Sequence, residues 1–133
     1  MAVVVFDSDV LIGFLNRDDA HHTEAVRKVR AALAPGTRRL LCAVHFAEIL
    51  IGPIRVAADE SVKQMLNQFS IEIVNVDKAL AEHAAVVRVR TNLKLPDAFA
   101  LATSIQAQQS GREPVELATF DELLRKAHAT LHR

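Results

Sequence analysis

Apolar runs alternate with stretches of helical periodicity along this chain, and turn signals separate them. Val3–Phe6 is a continuous run of β-branched and aromatic residues, the pattern of a strand buried on both faces. Arg39–Ala43, Ile71–Val76 and Val115–Ala118 predict three further strands. Between them, His22–Leu33 sets Ala25, Val26, Val29, Ala32 and Leu33 at helical spacing. Helices are also predicted over Ala43–Gly52, with Gly52-Pro53 as the stop, and over Asp59–Phe69 and Lys78–Leu93. Pro96–Gln109 opens with a proline suited to a helix start, and Asp121–His132 reads as a helical tail. Leu33–Thr37 and Ser110–Pro114 are turns. Strands alternating with helices predict an α/β fold, a mostly parallel sheet of four to five strands with helices on both faces. Ligands of such sheets sit beyond the carboxyl ends of the strands, so residues just after each apolar run are the candidates for chemistry.

Composition narrows the picture. The 133 residues fit one domain, 1–133, and the 50% apolar content is too high for disorder. Lys+Arg and Asp+Glu balance at 16 each, which excludes a broad basic field. Tryptophan and tyrosine are absent, so any stacking platform for bases must draw on the six phenylalanines. The single cysteine, Cys42, has no intrachain disulfide partner and fits a reducing cytoplasm. No basic segment precedes Val3–Phe6 and Asp7 cuts that run short, so no targeting leader is expected. Leu40–Ile54 contains His45, Glu48, Gly52 and Pro53 and is too short and polar to span a bilayer.

Four acids stand in apolar surroundings. Asp7 ends the first strand, Asp121 follows the last, Asp97 opens a helix, and Glu48 lies inside the most apolar helix. Asp7 and Asp121 also suit helix caps, and Asp97 suits the dipole of its own helix. Glu48 has two readings. It shares a solvent-facing seam with His45, or it joins Val44, Ala47 and Ile51 on an inward stripe. No lysine or arginine falls between Leu40 and Ile54, so a buried Glu48 would need a cation from elsewhere. If the four acids converge, they repel one another unless they share an ion. An all-oxygen donor set points to Mg²⁺ or Mn²⁺. Such a site orients a water and stabilises charge on a phosphodiester, with Ser8 or Thr119 available to hold that water.

These residues resemble the motifs of PIN-domain ribonucleases, and within them the VapC toxins of bacterial toxin–antitoxin pairs. The resemblance starts at Val4-Val-Phe-Asp7-Ser-Asp9-Val-Leu-Ile and continues at Ala47-Glu48-Ile-Leu. It is strongest at Leu95-Pro96-Asp97-Ala98-Phe99-Ala100-Leu101-Ala102-Thr103 and ends at Ala118-Thr119-Phe120-Asp121. It implies that Asp7, Glu48, Asp97 and Asp121 are the catalytic, metal-binding acids and that Ser8 and Thr119 are supporting hydroxyls. Asp9 stands where the family usually has Asn or Ser, as a helix cap or as a fifth charge. Phe120 takes the middle place of a motif that is often Thr-Asn-Asp. The resemblance further implies a Mg²⁺- or Mn²⁺-dependent endoribonuclease acting on structured RNA such as tRNA or rRNA. It also implies a homodimer, and inhibition by a small VapB-type antitoxin. Arg17, Arg38, Arg39, Arg88, Arg90 and Lys94 are either RNA contacts or solvated faces. The stripe Met65, Leu66 and Phe69 is core, or forms an antitoxin groove with Ile51 and Ile54.

Two rival readings share these residues. Val3–Val10 also resembles the Asp-x-Asp signature of haloacid-dehalogenase-type phosphatases, with Asp7 as nucleophile and Asp9 as acid–base. That fold needs a later lysine near an acidic pair after an apolar strand, whereas Asp97 follows Leu93-Lys94-Leu95-Pro96 rather than a β-run and has no second acid before Glu113. The other rival is a non-catalytic PIN-fold binding module. Cys42 reads as a core thiol, and His21-His22 and the pair His128 and His132 read as surface histidines.

Overall fold

The computed structural model describes residues 2–111 and 113–131. Four strands, β1 (Ala2–Phe6), β2 (Thr37–Cys42), β3 (Ile71–Val74) and β4 (Val115–Ala118), form one sheet in the order β3-β2-β1-β4. Every pairing is parallel, with Val5 opposite Leu40 on one side of β1 and opposite Leu117 on the other. β1 is therefore central, and its apolar run is buried on both faces as its sequence requires.

Side-chain alternation divides the core in two. Val3, Val5, Leu40, Cys42 and Leu117 pack against α5 (Lys78–Thr91), α6 (Leu95–Ser110) and Leu124 of α7 (Glu122–Leu131). Val4, Phe6, Leu41, Ile71 and Ala118 face the other way. There they meet α1 (Ser8–Leu15), α2 (His22–Ala32), α3 (Ala43–Arg55) and α4 (Asp59–Gln68). The expected α/β sheet with helices on both faces is what forms, with four strands among the described residues.

Two differences from the sequence-based expectations have physical causes. Helix α1 follows the cap expected at Asp7, but the sequence pattern gives it no bounds. Its residues are apolar almost all round: Val10 and Leu11 enter the core while Ile12 and Leu15 stay partly exposed. Gly13 interrupts the pattern where α1 meets α2, since a Cβ there would stand 3.2 Å from that of Ala25. The second difference is α3, which runs through Gly52-Pro53 to Arg55. Pro53 lies in the last turn, where its fixed φ is helical and its missing N–H forgoes a single hydrogen bond. The tail is helical as expected, although His132 lies outside the described residues, as do Met1 and Arg112. Among the described residues no helix is long and apolar enough to cross a membrane.

Candidate functional site

Strand order sets the position of the site. The chain moves outward from β1 through β2 to β3, then returns to the far side of β1 as β4. Such a reversal opens a crevice at the carboxyl ends of the strands on either side of it, here β1 and β4. Asp7 leaves β1 into this crevice and its N–H still donates to the Ala118 carbonyl at 2.9 Å. Thr119 enters it from β4.

Asp7 is 5% exposed. Its Oδ1 accepts the Ser8 N–H at 2.8 Å, so it caps α1, and its Oδ2 accepts the Thr119 hydroxyl at 2.7 Å. Thr119 Oγ1 in turn accepts the Asp121 N–H at 3.0 Å. Asp121 Oδ1 accepts the Leu124 N–H at 2.9 Å and caps the start of α7. The two capping assignments thus hold, and both caps sit in the same crevice. Ser8 is buried beside them and contributes its backbone N–H.

Asp9 lies in the first turn of α1, and its Oδ2 accepts the Phe120 N–H at 3.0 Å. The two departures from the usual motifs, Asp9 and Phe120, are therefore bonded to each other. Burial pushes the Asp9 carboxyl up to about 6, helped by the Asp7 and Asp121 charges and opposed by the N–H groups of Phe120 and Val10. Asp97, in the first turn of α6, is also pushed up to about 6. Burial is the main cause, then the charges of Asp7 and Asp121, with Glu48 adding and His45 opposing. The charges of Asp7, Asp121 and Glu48 thus all act on Asp97.

Glu48 fits neither of its two expected settings. The buried residues of α3 are His45 and Ile49, while Ala47 and Ile51 are exposed, so the stripe Val44, Ala47, Glu48 and Ile51 does not face the core. His45 is fully buried, so no solvent-facing seam joins it to Glu48. Glu48 sits at the boundary, half-buried, with Oε1 shielded from solvent and without a hydrogen-bond partner. Asp9 Oδ1 is orphaned in the same way. No lysine or arginine among the described residues forms an ion pair with any of these five acids.

The donor set, all carboxylate and hydroxyl oxygen, and the two orphaned buried oxygens fit a hard divalent cation. Among the described residues, no group of three His, Cys, Asp or Glu side chains is gathered closely enough to hold an ion as it stands. Mutual repulsion keeps uncompensated carboxylates apart.

The model of the PIN domain family matches residues 4–129 of the chain. The chain belongs to the PIN-domain family. This PIN domain shares its fold with several solved toxin structures. A toxin–antitoxin complex from Klebsiella pneumoniae aligns with a TM-score of 0.70 at 24% identity, covering 89% of this chain and 86% of that one. VapC20 of Mycobacterium tuberculosis, a toxin that cleaves the sarcin–ricin loop, aligns with a TM-score of 0.71 at 18% identity, covering 93% and 94%. VapBC2 of Rickettsia felis, solved with a DNA fragment from its promoter, aligns with a TM-score of 0.54 at 14% identity, covering 86% and 98%. No curated protein matches the sequence.

The PIN fold also draws in His45, which one of the two readings of Glu48 sets on a solvent-facing seam. His45 Nε2 donates to the Pro96 carbonyl at 2.9 Å and stands 3.8 Å from Asp7 Oδ1. One imidazole thus bridges α3, the start of α6 and the end of β1. Burial lowers its pKa, but the Cys42 thiol, the Asp7 charge and the Pro96 carbonyl outweigh that and raise it. The available signal was a lone histidine three residues before Glu48 in an otherwise apolar helix.

Other sequence-derived candidates separate cleanly. Arg38 pairs with Glu72 at 2.7 Å, and Arg39 donates to the carbonyls of Phe69 and Ala32. Both lie opposite Val3 and Val4, toward the strand starts and away from the acids. Arg88 donates to Asn92 at the end of α5. Leu66 is core, and Met65 and Phe69 pack against the same cluster. A groove of about 690 Å³ runs between α1, α3 and α4, lined by Ile12, Leu15, Ile49, Pro53, Val56 and Glu48 among others and by none of that stripe. The phosphatase reading falls with the family assignment.

Proposed function

We propose that this PIN domain is an endoribonuclease toxin of the VapC type, acting on RNA such as tRNA or rRNA in the cytoplasm as a homodimer. What supports the reading is the hydrogen-bonded chain Asp7–Thr119–Asp121 at the ends of β1 and β4, with buried oxygens of Asp9 and Glu48 left without a partner. In this reading Asp7, Glu48, Asp97 and Asp121 hold Mg²⁺ or Mn²⁺, and Asp9 adds charge at the edge of the site. A divalent cation bound there stabilises charge on a phosphodiester and favours ionisation of an attacking water. Thr119 holds Asp7 in place through its hydroxyl and Asp121 through its lone pair. The overall reaction is hydrolysis: water oxygen bonds to phosphorus, the bond to the leaving ribose oxygen breaks, and a proton passes to that oxygen.

A VapB-type antitoxin fits the groove along α1, α3 and α4, because Ile12, Leu15 and Val56 are exposed there and Glu48 lies on its wall. The solved relatives include a toxin–antitoxin complex, which supports a protein inhibitor. The test is incubation of purified protein with total RNA and Mn²⁺ or Mg²⁺, beside an EDTA control and an Asp97→Asn variant. Discrete fragments that vanish in both controls support the reading. Intact RNA with the cation bound and the fold retained would overturn it and leave a binding module.

A further inference from the structure

We propose that the stacked pair His21 and Phe120, with Lys28, forms a subsite for one unpaired nucleotide of the RNA beside the acidic crevice; this rests on the nuclease reading above. The rings of His21 and Phe120 lie 4.7 Å apart between centroids and 20° from parallel. Phe120 is inseparable from the site, because its N–H bonds Asp9 and its neighbours are Thr119 and Asp121. His21 forms the outer layer of the stack and is exposed.

The platform is held in place. The His21 N–H donates to Asp19 Oδ1 at 2.8 Å, and its carbonyl accepts the Ala25 N–H at 2.8 Å. Its neighbour His22 is pinned to the Gly13 carbonyl at 2.8 Å. An exposed ring on a fixed backbone loses little entropy when a flat partner stacks on it. Among the described residues the His21 ring nitrogens have no hydrogen-bond partner, and Lys28 has no ion pair. The Lys28 ammonium lies 5.9 Å from the centre of the Phe120 ring.

A π-face, free ring nitrogens and an unpaired ammonium match the three parts of a nucleotide: base face, base edge and phosphate. The location matters as well. The crevice itself is acidic and repels phosphate, so the strand needs a cation and a stacking surface at its rim. A protein with no net charge has only local contacts to offer.

The test is fluorescence anisotropy of a short, unstructured, labelled RNA, with Ca²⁺ replacing the catalytic ion. It compares wild type with His21→Ala, His21→Tyr and Lys28→Ala, and measures Mn²⁺ affinity for each. Stacking worth ~1–3 kcal/mol predicts a loss of about 5-fold or more in His21→Ala. The same affinity is expected to return in His21→Tyr, with Mn²⁺ binding unchanged throughout. Lys28→Ala should weaken binding and flatten its salt dependence. Equal RNA binding by wild type and His21→Ala overturns the subsite while leaving the nuclease reading intact. Absence of RNA binding by wild type with the ion bound overturns both. Unchanged RNA binding with loss of antitoxin binding in His21→Ala would reassign the stack to the protein partner and overturn the proposal.

Discussion

Thr119 and Asp7 meet through a 2.7 Å hydrogen bond between side chains 112 positions apart. The hydroxyl donates to Asp7 Oδ2 while its oxygen accepts the Asp121 N–H, so one buried threonine sets the spacing of two acids. Thr119→Val keeps the shape and removes both contacts. A hydrogen bond to a charged group is worth about 1.5–3 kcal/mol, and the substitution should cost an amount of that order. Urea unfolding checks the stability loss, and a reduced cleavage rate is expected beside it.

Much of this arrangement was legible in the sequence, and the parts that were not share a cause. β1 declared itself because burial on both faces forces Val3–Phe6 to be wholly apolar. Asp7, Asp97 and Asp121 stood out because each breaks or follows an apolar segment. Helix α1 was announced only by its cap at Asp7, because apolar residues on both its core and groove sides blur the amphipathic period that would mark its extent. The end of α3 was misplaced because Gly52-Pro53 is a stop signal in isolation but only one missing hydrogen bond in the last turn of a packed helix. The role of His45 was not legible for a different reason. Its partner is the carbonyl of Pro96, 51 residues away, and no local pattern encodes a contact of that range.

His45 therefore gives a sharp test. His45→Leu removes the donor to the Pro96 carbonyl and the polar neighbour of Asp7. Groups that orient metal ligands from behind typically affect affinity by about 10–100-fold. Mn²⁺ binding by calorimetry should fall within that range in His45→Leu. It should largely recover in His45→Gln, which can return an N–H to the Pro96 carbonyl. Equal affinity in wild type and His45→Leu would remove His45 from the site.

The raised carboxyls make the ligand-free fold sensitive to pH, with a definite sign. Asp9 and Asp97 ionise near 6 in the folded chain and near 3.8 when unfolded. Their contribution to stability is full below about pH 4 and is lost as the pH rises through about 6. In EDTA, the melting temperature of wild type should fall across that window more than that of the Asp97→Asn variant. Mn²⁺ should compensate at neutral pH and do so less at about pH 5, where a proton competes for Asp97. A pH-independent difference between the two proteins would contradict the convergence of acids on Asp97.

The groove offers a way to separate inhibition from chemistry. Val56 is 74% exposed and Ile12 38% exposed, and both line the channel whose wall includes Glu48. Neither side chain touches the other four acids through any hydrogen bond or ion pair. Val56→Asp places a charge where an apolar segment of the antitoxin would bury, which costs an interface several kcal/mol when no partner is supplied. The variant should fold and bind Mn²⁺ like wild type, because position 56 lies just past the end of α3 and faces solvent. In a cleavage assay with increasing antitoxin, wild type should be silenced at stoichiometric inhibitor while Val56→Asp remains active. Equal inhibition of both would take the antitoxin off the part of the channel that Val56 lines.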